Sequence, residues 1–320
     1  MAEALESHGD VERAASGVSD VRTAGLGLHQ VEQRLTDDGA TSSCRSAVNT
    51  LRPHGPLGYG VAVRDITYPP IILTAKAAFR ALNLTFRISG DERVPTTGGA
   101  VLAVNHISYV DFIFGGFATQ RSRRLVRFMA KRELFDHRLT GPLMRSLHHI
   151  EVDRAEGTQS FQTALDYLDA GEVVGVFPEA TISRSFELKD FKTGTVRLAQ
   201  AARVPIVPLV LWGTQRMYTK DHPRDFSRGK TLAMTVGEPI NVAGGNAVAE
   251  TARLRERMSQ LLDQTIRDYP DHEEGAWWVP RRYGGTAPTP EEAKRLDAEE
   301  KRRRAAARRA NRQSQSPSDV

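Results

Sequence analysis

AVLAVNHISYVD, residues 100–111, carries both a strand signal and a helix start. Ala100 to Val104 is a short, unbroken, Val-rich apolar run, which suits a buried strand of a parallel sheet. Asn105 and His106 interrupt it. Ser108 and Asp111 follow at capping-box spacing, so a helix through Phe114 is predicted to open here. His106 then sits in the strand-to-helix turn at the carboxyl end of a strand, where open α/β sheets bind their ligands. On one continuous helix, residues five apart are separated by ~140°. With His106 outside the helix, the turn lets its ring fold back towards Asp111, the geometry of a general base.

Outward from this stretch the chain alternates. Strand signals occupy residues 125–130, 149–152, 173–177, 206–212 and 232–236. Between two of them Phe161, Ala164, Leu165 and Leu168 recur at helical spacing, and Gly171 stands where a helix would stop. A second helical pattern covers 196–202, and a third runs through Leu254, Met258, Leu261, Leu262 and Ile266. The alternation predicts an α/β domain with a mostly parallel central sheet flanked by helices. No internal repeat is present. Residues 68–88 add a stretch in which Ile71, Ile72, Ala75, Ala78, Phe79, Leu82 and Phe86 share an apolar face, with Lys76, Arg80 and Arg87 as its cationic side. An amphipathic helix over about 69–85 is expected there. It lies in a membrane interface, packs on its own domain, or does both, covering the core and touching lipid at its rim. Residues 1–62, rich in Ala, Gly, Ser and charge, read as a disordered leader. The domain spans 63–284, and 285–320 reads as a basic tail, disordered or transiently helical because it has little apolar surface to bury.

Composition narrows the class. Hydrophobic residues make up 40% of the 320, enough for a substantial core. The single cysteine, Cys44, excludes an internal disulfide. No stretch approaches the ~18 uncharged apolar residues of a membrane span. Glu3, Glu6, Asp10 and Glu12 stand where a signal peptide would need positive charge, so a cytoplasmic protein is expected. The net charge of +5 suits a polyanionic partner. Between 281 and 320, eleven Lys/Arg stand against six Asp/Glu, an excess equal to that of the whole chain. The charge is therefore a property of the tail.

Four stretches together resemble the glycerolipid acyltransferase family. Asn105-His106-x-Ser108-x-x-Asp111 is an unbroken match to its NHxSxxD. Ile150-Glu151-Val152-Asp153-Arg154 is similar to its strand ending in Asp-Arg. Phe177-Pro178-Glu179-Ala180-Thr181, followed by Phe191-Lys192-x-Gly194, resembles FPEGT…FKxG. Val204-Pro205-Ile206-Val207-Pro208-Leu209 is like its VPIVP strand. All four come in the family's order over residues 65–240. The resemblance implies an O-acyltransferase that moves an acyl chain from acyl-CoA or acyl carrier protein to the free hydroxyl of 1-acylglycerol-3-phosphate, giving phosphatidic acid. It implies His106 and Asp111 as catalytic residues. It implies an acceptor site drawn from Asn105, Ser108, Lys131, Arg154, Glu179, Thr181 and Lys192. Two positions depart from the pattern. Ala180 replaces the usual glycine, and Ile182 stands where an arginine normally grips phosphate. Arg184, two residues later, is the substitute that the sequence offers, alongside Lys192. The departure bears on the acceptor more than on the reaction, so another lysophospholipid or a glycolipid is the alternative acceptor.

The chemistry also follows from the residue types. Acyl transfer from a thioester to an alcohol needs a base for the hydroxyl proton, and neutral histidine is matched to that near pH 7. A carboxylate fixes its tautomer, as in hydrolase triads. The substrate hydroxyl here replaces an enzyme serine, so no acyl-enzyme is required. Backbone N–H groups after Ser108 are the candidate oxyanion donors. Arg121, Arg123, Arg124, Arg127, Lys131 and Arg132 form a cationic stretch suited to anionic headgroups or acyl-CoA phosphates. His148 and His149 point to opposite faces if they lie in a strand, so no metal site is expected. GxGxxG, P-loop and GxSxG patterns are missing, and no cofactor is expected beyond the acyl donor. A peripheral enzyme on the inner face of the cell membrane results, touching anionic lipid through the amphipathic helix and basic patches, with no specific nucleic acid. The competing class is an inactive membrane- or polyanion-binding protein acting through its tail.

Overall fold

The centre of the sheet is made of uninterrupted apolar runs. In the computed structural model, the described residues are 67–138, 140–153, 157–242, 244–271 and 273–315. They belong to one unit, Pro56–Val320. The predicted leader, 1–62, lies outside them. In chain order the elements are α1 (Tyr68–Ala81), β1 (Thr85–Ser89), β2 (Ala100–Val104), α2 (Asp111–Ala118), β3 (Val126–Lys131), α3 (Arg132–Asp136), α4 (Thr140–Ser146) and β4 (Ile150–Val152). There follow α5 (Gly157–Asp169), β5 (Val173–Val176), α6 (Gly194–Ala202), β6 (Ile206–Trp212), β7 (Thr231–Val236), α7 (Ala247–Arg267) and α8 (Pro290–Gln315).

Seven strands form one sheet in the order β1-β7-β6-β2-β5-β3-β4. From β6 to β4 all neighbours are parallel, with Ala103 beside Val176 on one side and Pro208 on the other. The carboxyl ends of β2, β3, β4, β5 and β6 therefore share one edge. At the far side β7 is antiparallel to β6, and β1 is parallel to β7. Every residue of β2 is fully buried. Val101 and Ala103 pack with α5, α6 and α7, while Ala100, Leu102 and Val104 pack with α1 and α2. A strand covered on both faces has no polar side to show, which is why it reads as a continuous apolar run. The helical patterns through Phe161–Leu168, 196–202 and Leu254–Ile266 each turn their apolar residues into the first of these layers.

The amphipathic helix ends earlier than its periodicity predicts. It stops at Ala81, and Asn83 takes the left-handed region at φ +50. Thr85 to Ser89 then forms β1 against β7. Phe86 is thus apolar because of a strand, not because of helical spacing. Phe79 and Phe86 meet Phe114 and Phe117 of α2 in a cluster of ring contacts 4.8–6.3 Å apart. Packing on its own domain is accordingly what α1 does with Phe79, while Leu73 stays 70% exposed. The second difference is the tail. Residues 290–315 are helical, opened by a capping box in which Thr289 N–H donates to Glu292 (2.8 Å) and Glu292 N–H donates to Thr289 Oγ1 (3.2 Å). What α8 lacks in apolar surface it replaces with ion pairs to the domain. Among the described residues, no helix is long and apolar enough to cross a membrane.

Candidate active site

Asn105, the first residue past β2, behaves as an extra sheet residue. Its Nδ2 donates to Leu211 O (3.0 Å) and its Oδ1 accepts from Leu211 N–H (2.7 Å). It is fully buried. The side chain therefore joins β2 to β6 and leaves no surface for a substrate, contrary to its expected acceptor contact. The chain then turns, and His106 is held by its backbone on both sides. Its N–H donates to Glu179 Oε1 (2.9 Å), and its carbonyl accepts from Ser183 N–H (2.7 Å).

The ring is fixed separately. His106 Nδ1 lies 2.9 Å from Asp111 Oδ2, which also accepts the N–H groups of Ile107 and Ser108 at 2.7 Å each. Asp111 Oδ1 accepts the Thr214 hydroxyl at 2.7 Å. Asp111 is fully buried, and these four donors offset the cost of burying a carboxylate. An oxygen that accepts two amides requires Nδ1 to be the protonated nitrogen, which leaves Nε2 as the base. The ring face stacks on Phe177 at 4.2 Å, and Phe177 stacks on Phe128 at 5.5 Å. His106 keeps 21% side-chain exposure, so its outer edge is open to a ligand.

The capping box at Ser108 forms only in part. Asp111 does reach back to Ser108 N–H, but Ser108 Oγ donates to Tyr218 O (2.6 Å) and accepts from Val110 N–H (3.3 Å). Ser108 is fully buried, so it positions the loop and does not face an acceptor. The amides proposed for an oxyanion are also taken. Tyr109 N–H donates to Tyr218 O, Val110 N–H to Ser108 Oγ and Asp111 N–H to Ser108 O. That expectation falls: the turn closes on itself before the helix begins.

The block after β5 shares the edge with His106. Glu179 is buried, and its second oxygen accepts Lys189 N–H (3.1 Å). Burial pushes its carboxyl up to about 8, against the two amide bonds that favour the charged form. Glu179 thus holds the His106 loop, and both its oxygens are taken by the chain instead of an acceptor. Ala180 has φ +60, a left-handed conformation, which explains why glycine suits this position. Ile182 is 3% exposed and packed inward. Thr181 Oγ1 accepts from Lys189 Nζ at 2.8 Å. Arg184, the expected substitute for the missing arginine, is 7% exposed and paired with Asp221, Asp297 and Glu300. Burial works against its charge, but the hydrogen bonds it donates to Asp221 and Glu300 outweigh it and raise its pKa. Lys131, at the end of β3, and Lys192 are exposed. Arg154 lies outside the described residues.

Half of the cationic stretch is tied into the fold. Arg124 donates to Pro95 O and Gly98 O (2.9 and 2.8 Å) and to Gly171 O. Arg127 is buried beside Glu172 and Tyr68. Arg132 pairs with Asp136, Glu151 and Asp153. His149 accepts Phe128 N–H on Nδ1 (3.1 Å), and burial pushes its pKa down to about 4. Groups of three or more potential metal ligands are absent among the described residues.

Thr214, Lys189 and Lys220 were not singled out by the sequence. Thr214 had a usable signal: it lies two residues past the end of β6, at the same sheet edge as His106.

With this geometry in place, the comparisons with known proteins fall into line. The family profile described as Acyltransferase matches residues 85–212. The 1-acyl-sn-glycerol-3-phosphate acyltransferase of Bacillus subtilis is 31% identical over 183 residues, covering 57% of this chain and 86% of that protein. The probable 1-acyl-sn-glycerol-3-phosphate acyltransferase of Mycoplasma pneumoniae is 28% identical, over 63% of this chain and 81% of its own length. Among solved structures, the 1-acyl-sn-glycerophosphate acyltransferase PlsC of Thermotoga maritima has the same fold. Its TM-score is 0.54 at 22% identity, over 63% of this chain and 80% of that one. The NHxSxxD loop at the carboxyl end of β2 and this extent of shared sequence have a single source: the chain belongs to the acyltransferase family of the 1-acyl-sn-glycerol-3-phosphate acyltransferases.

Proposed function

We propose that this acyltransferase moves an acyl chain from acyl-CoA or acyl carrier protein to the free hydroxyl of 1-acylglycerol-3-phosphate, giving phosphatidic acid. The hydroxyl oxygen attacks the thioester carbonyl carbon while His106 Nε2 takes its proton. The C–S bond then breaks, and the thiolate leaves with that proton. Asp111 keeps the ring aimed and stabilises the imidazolium as it forms. No protein nucleophile is needed, since Ser108 Oγ is buried and bonded to a carbonyl. The observation that carries the reading is the 2.9 Å contact between His106 Nδ1 and a fully buried Asp111. Phosphate recognition draws on Lys131, Lys192, Arg154 and Arg184. The enzyme works at the cytoplasmic face of the cell membrane, with the exposed Leu73 and the cations of α1 meeting lipid.

The test is thiol release with a panel of lysolipid acceptors and acyl donors. His106→Ala is expected to lower turnover at least a thousandfold in a chain that still folds, with its thermal midpoint lowered only by the loss of one donor to Asp111. Near wild-type turnover in that variant overturns the assignment. A second acceptor reading rests on Ile182, buried where a phosphate-binding arginine is usual. Faster turnover of a lysophospholipid with a substituted phosphate, or of a glycolipid acceptor, would favour it.

A further inference from the structure

Helix α8 is basic by composition and Lys294 pairs with Asp190, yet the side chains it turns to Arg184, Lys189 and Lys220 are acidic. Asp297 pairs with Arg184, Lys189 and Lys220, and Glu300 pairs with Arg184 (2.9 Å) and Lys220 (3.1 Å). These three cations belong to the catalytic edge. Arg184 follows Ser183, whose N–H holds the His106 carbonyl, and Lys189 donates its backbone N–H to Glu179, which holds the His106 amide.

Charge counting gives the arrangement a function. With α8 docked, three cations face three carboxylates, Asp221, Asp297 and Glu300. Without α8 only Asp221 opposes them, leaving a surplus of two positive charges. A phosphate monoester carries about −1.5 to −2 at neutral pH. The helix carboxylates therefore stand in for such a phosphate. The hold is mostly electrostatic, since Ala293 is the only fully buried apolar residue among the α8 side chains described. Directly after Glu300 come Lys301, Arg302, Arg303 and Arg304, all exposed. A cluster of this kind is attracted to an anionic bilayer surface.

We propose that α8 is an autoinhibitory strap, in which Asp297 and Glu300 fill the cationic cluster of Arg184, Lys189 and Lys220 and release it when an anionic membrane captures Lys301 to Arg304. The proposal rests on the phosphate-bearing acceptor named above. It gives the enzyme a higher affinity for its acceptor at an anionic membrane than in solution.

Two measurements on the full chain test it. In the first, a short-chain, soluble lysophosphatidate is titrated in thiol-release assays with no vesicles, with phosphatidylglycerol vesicles and with phosphatidylcholine vesicles. Phosphatidylglycerol should lower the wild-type acceptor KM about tenfold, and phosphatidylcholine should not. Asp297→Asn/Glu300→Gln should show the low KM without vesicles. Lys301→Gln/Arg302→Gln/Arg303→Gln, confined to exposed positions, should keep wild-type turnover in solution and lose the response to phosphatidylglycerol. An unchanged KM in the first variant, or a full lipid response in the second, overturns the strap. In the second measurement, amide exchange over residues 290–304 is followed without substrate. It should rise with phosphatidylglycerol vesicles and in Asp297→Asn/Glu300→Gln, and unchanged exchange in both overturns the strap even if a variant is inactive. If exchange responds while wild type turns over no lysophosphatidate, the acceptor reading falls and the strap stands.

Discussion

Asp111 is the residue on which the site converges, because one buried carboxylate collects a ring nitrogen, two amides and a hydroxyl. Thr214 is the member of that set whose removal disturbs the backbone least. Thr214→Val leaves a buried carboxylate oxygen without its donor, at a cost of about 1.5–3 kcal/mol for a hydrogen bond to a charged group. The expected result is a kcat lowered roughly tenfold with the acceptor KM little changed, and Thr214→Ser restoring most of it. A stability loss with kcat intact would assign Thr214 to the fold alone. The NHxSxxD spacing made His106 and Asp111 legible from the chain, since a short loop can bring two residues five apart together. Asn105 and Ser108 were legible as motif members but misread in role. Their partners, Leu211 and Tyr218, are more than a hundred residues away, and only the fold shows that their bonds are already made.

At the level of elements, the histidine ring is aimed by a column of aromatic rings that runs between β5 and α2. Phe128 sits where a Cβ on Gly175 would approach its ring to 2.5 Å and a Cβ on Gly115 would approach it to 2.9 Å. Phe128 supports Phe177, and Phe177 supports His106. Gly175→Ala should therefore push Phe128 out of its place, costing about 1–3 kcal/mol in stability. Turnover should fall together with the thermal midpoint, although residue 175 lies inside a strand and touches no substrate. Unchanged turnover in a destabilised variant would show that the column does not aim the ring. Helix α1 offers a separate element-level prediction, because Leu73 is 70% exposed beside exposed Lys76 and Arg80. Leu73→Glu should weaken flotation with anionic vesicles severalfold at unchanged stability, whereas equal flotation would remove α1 from the lipid contact. Its early end at Ala81 was hidden in the sequence because Phe86 satisfies helical and strand spacing alike.

For the whole molecule, two buried groups set opposite slopes of stability with pH. The Glu179 carboxyl titrates at about 8 when folded, against an ordinary value of 4.5. Between those values the folded chain keeps a proton that the unfolded chain has lost, so stability falls as pH rises. His149 titrates at about 4 instead of 6.5, so its contribution is lost as pH falls through that window. Above pH 6.5 only the Glu179 slope remains of the two. From pH 6.5 to 8 wild type should lose about 2 kcal/mol more in urea unfolding than Glu179→Gln does. Equal losses in the two proteins would mean that Glu179 is ionised throughout. By itself, the sequence determined the α/β class, the sheet edge that bears the site and the histidine–aspartate pair, all of which are written in local apolar runs and short spacings. Tertiary structure alone decided that α8 docks, that Arg184 meets carboxylates and that Glu179 holds backbone. Those outcomes are pairings between residues far apart in the chain, and a charge does not announce its distant partner.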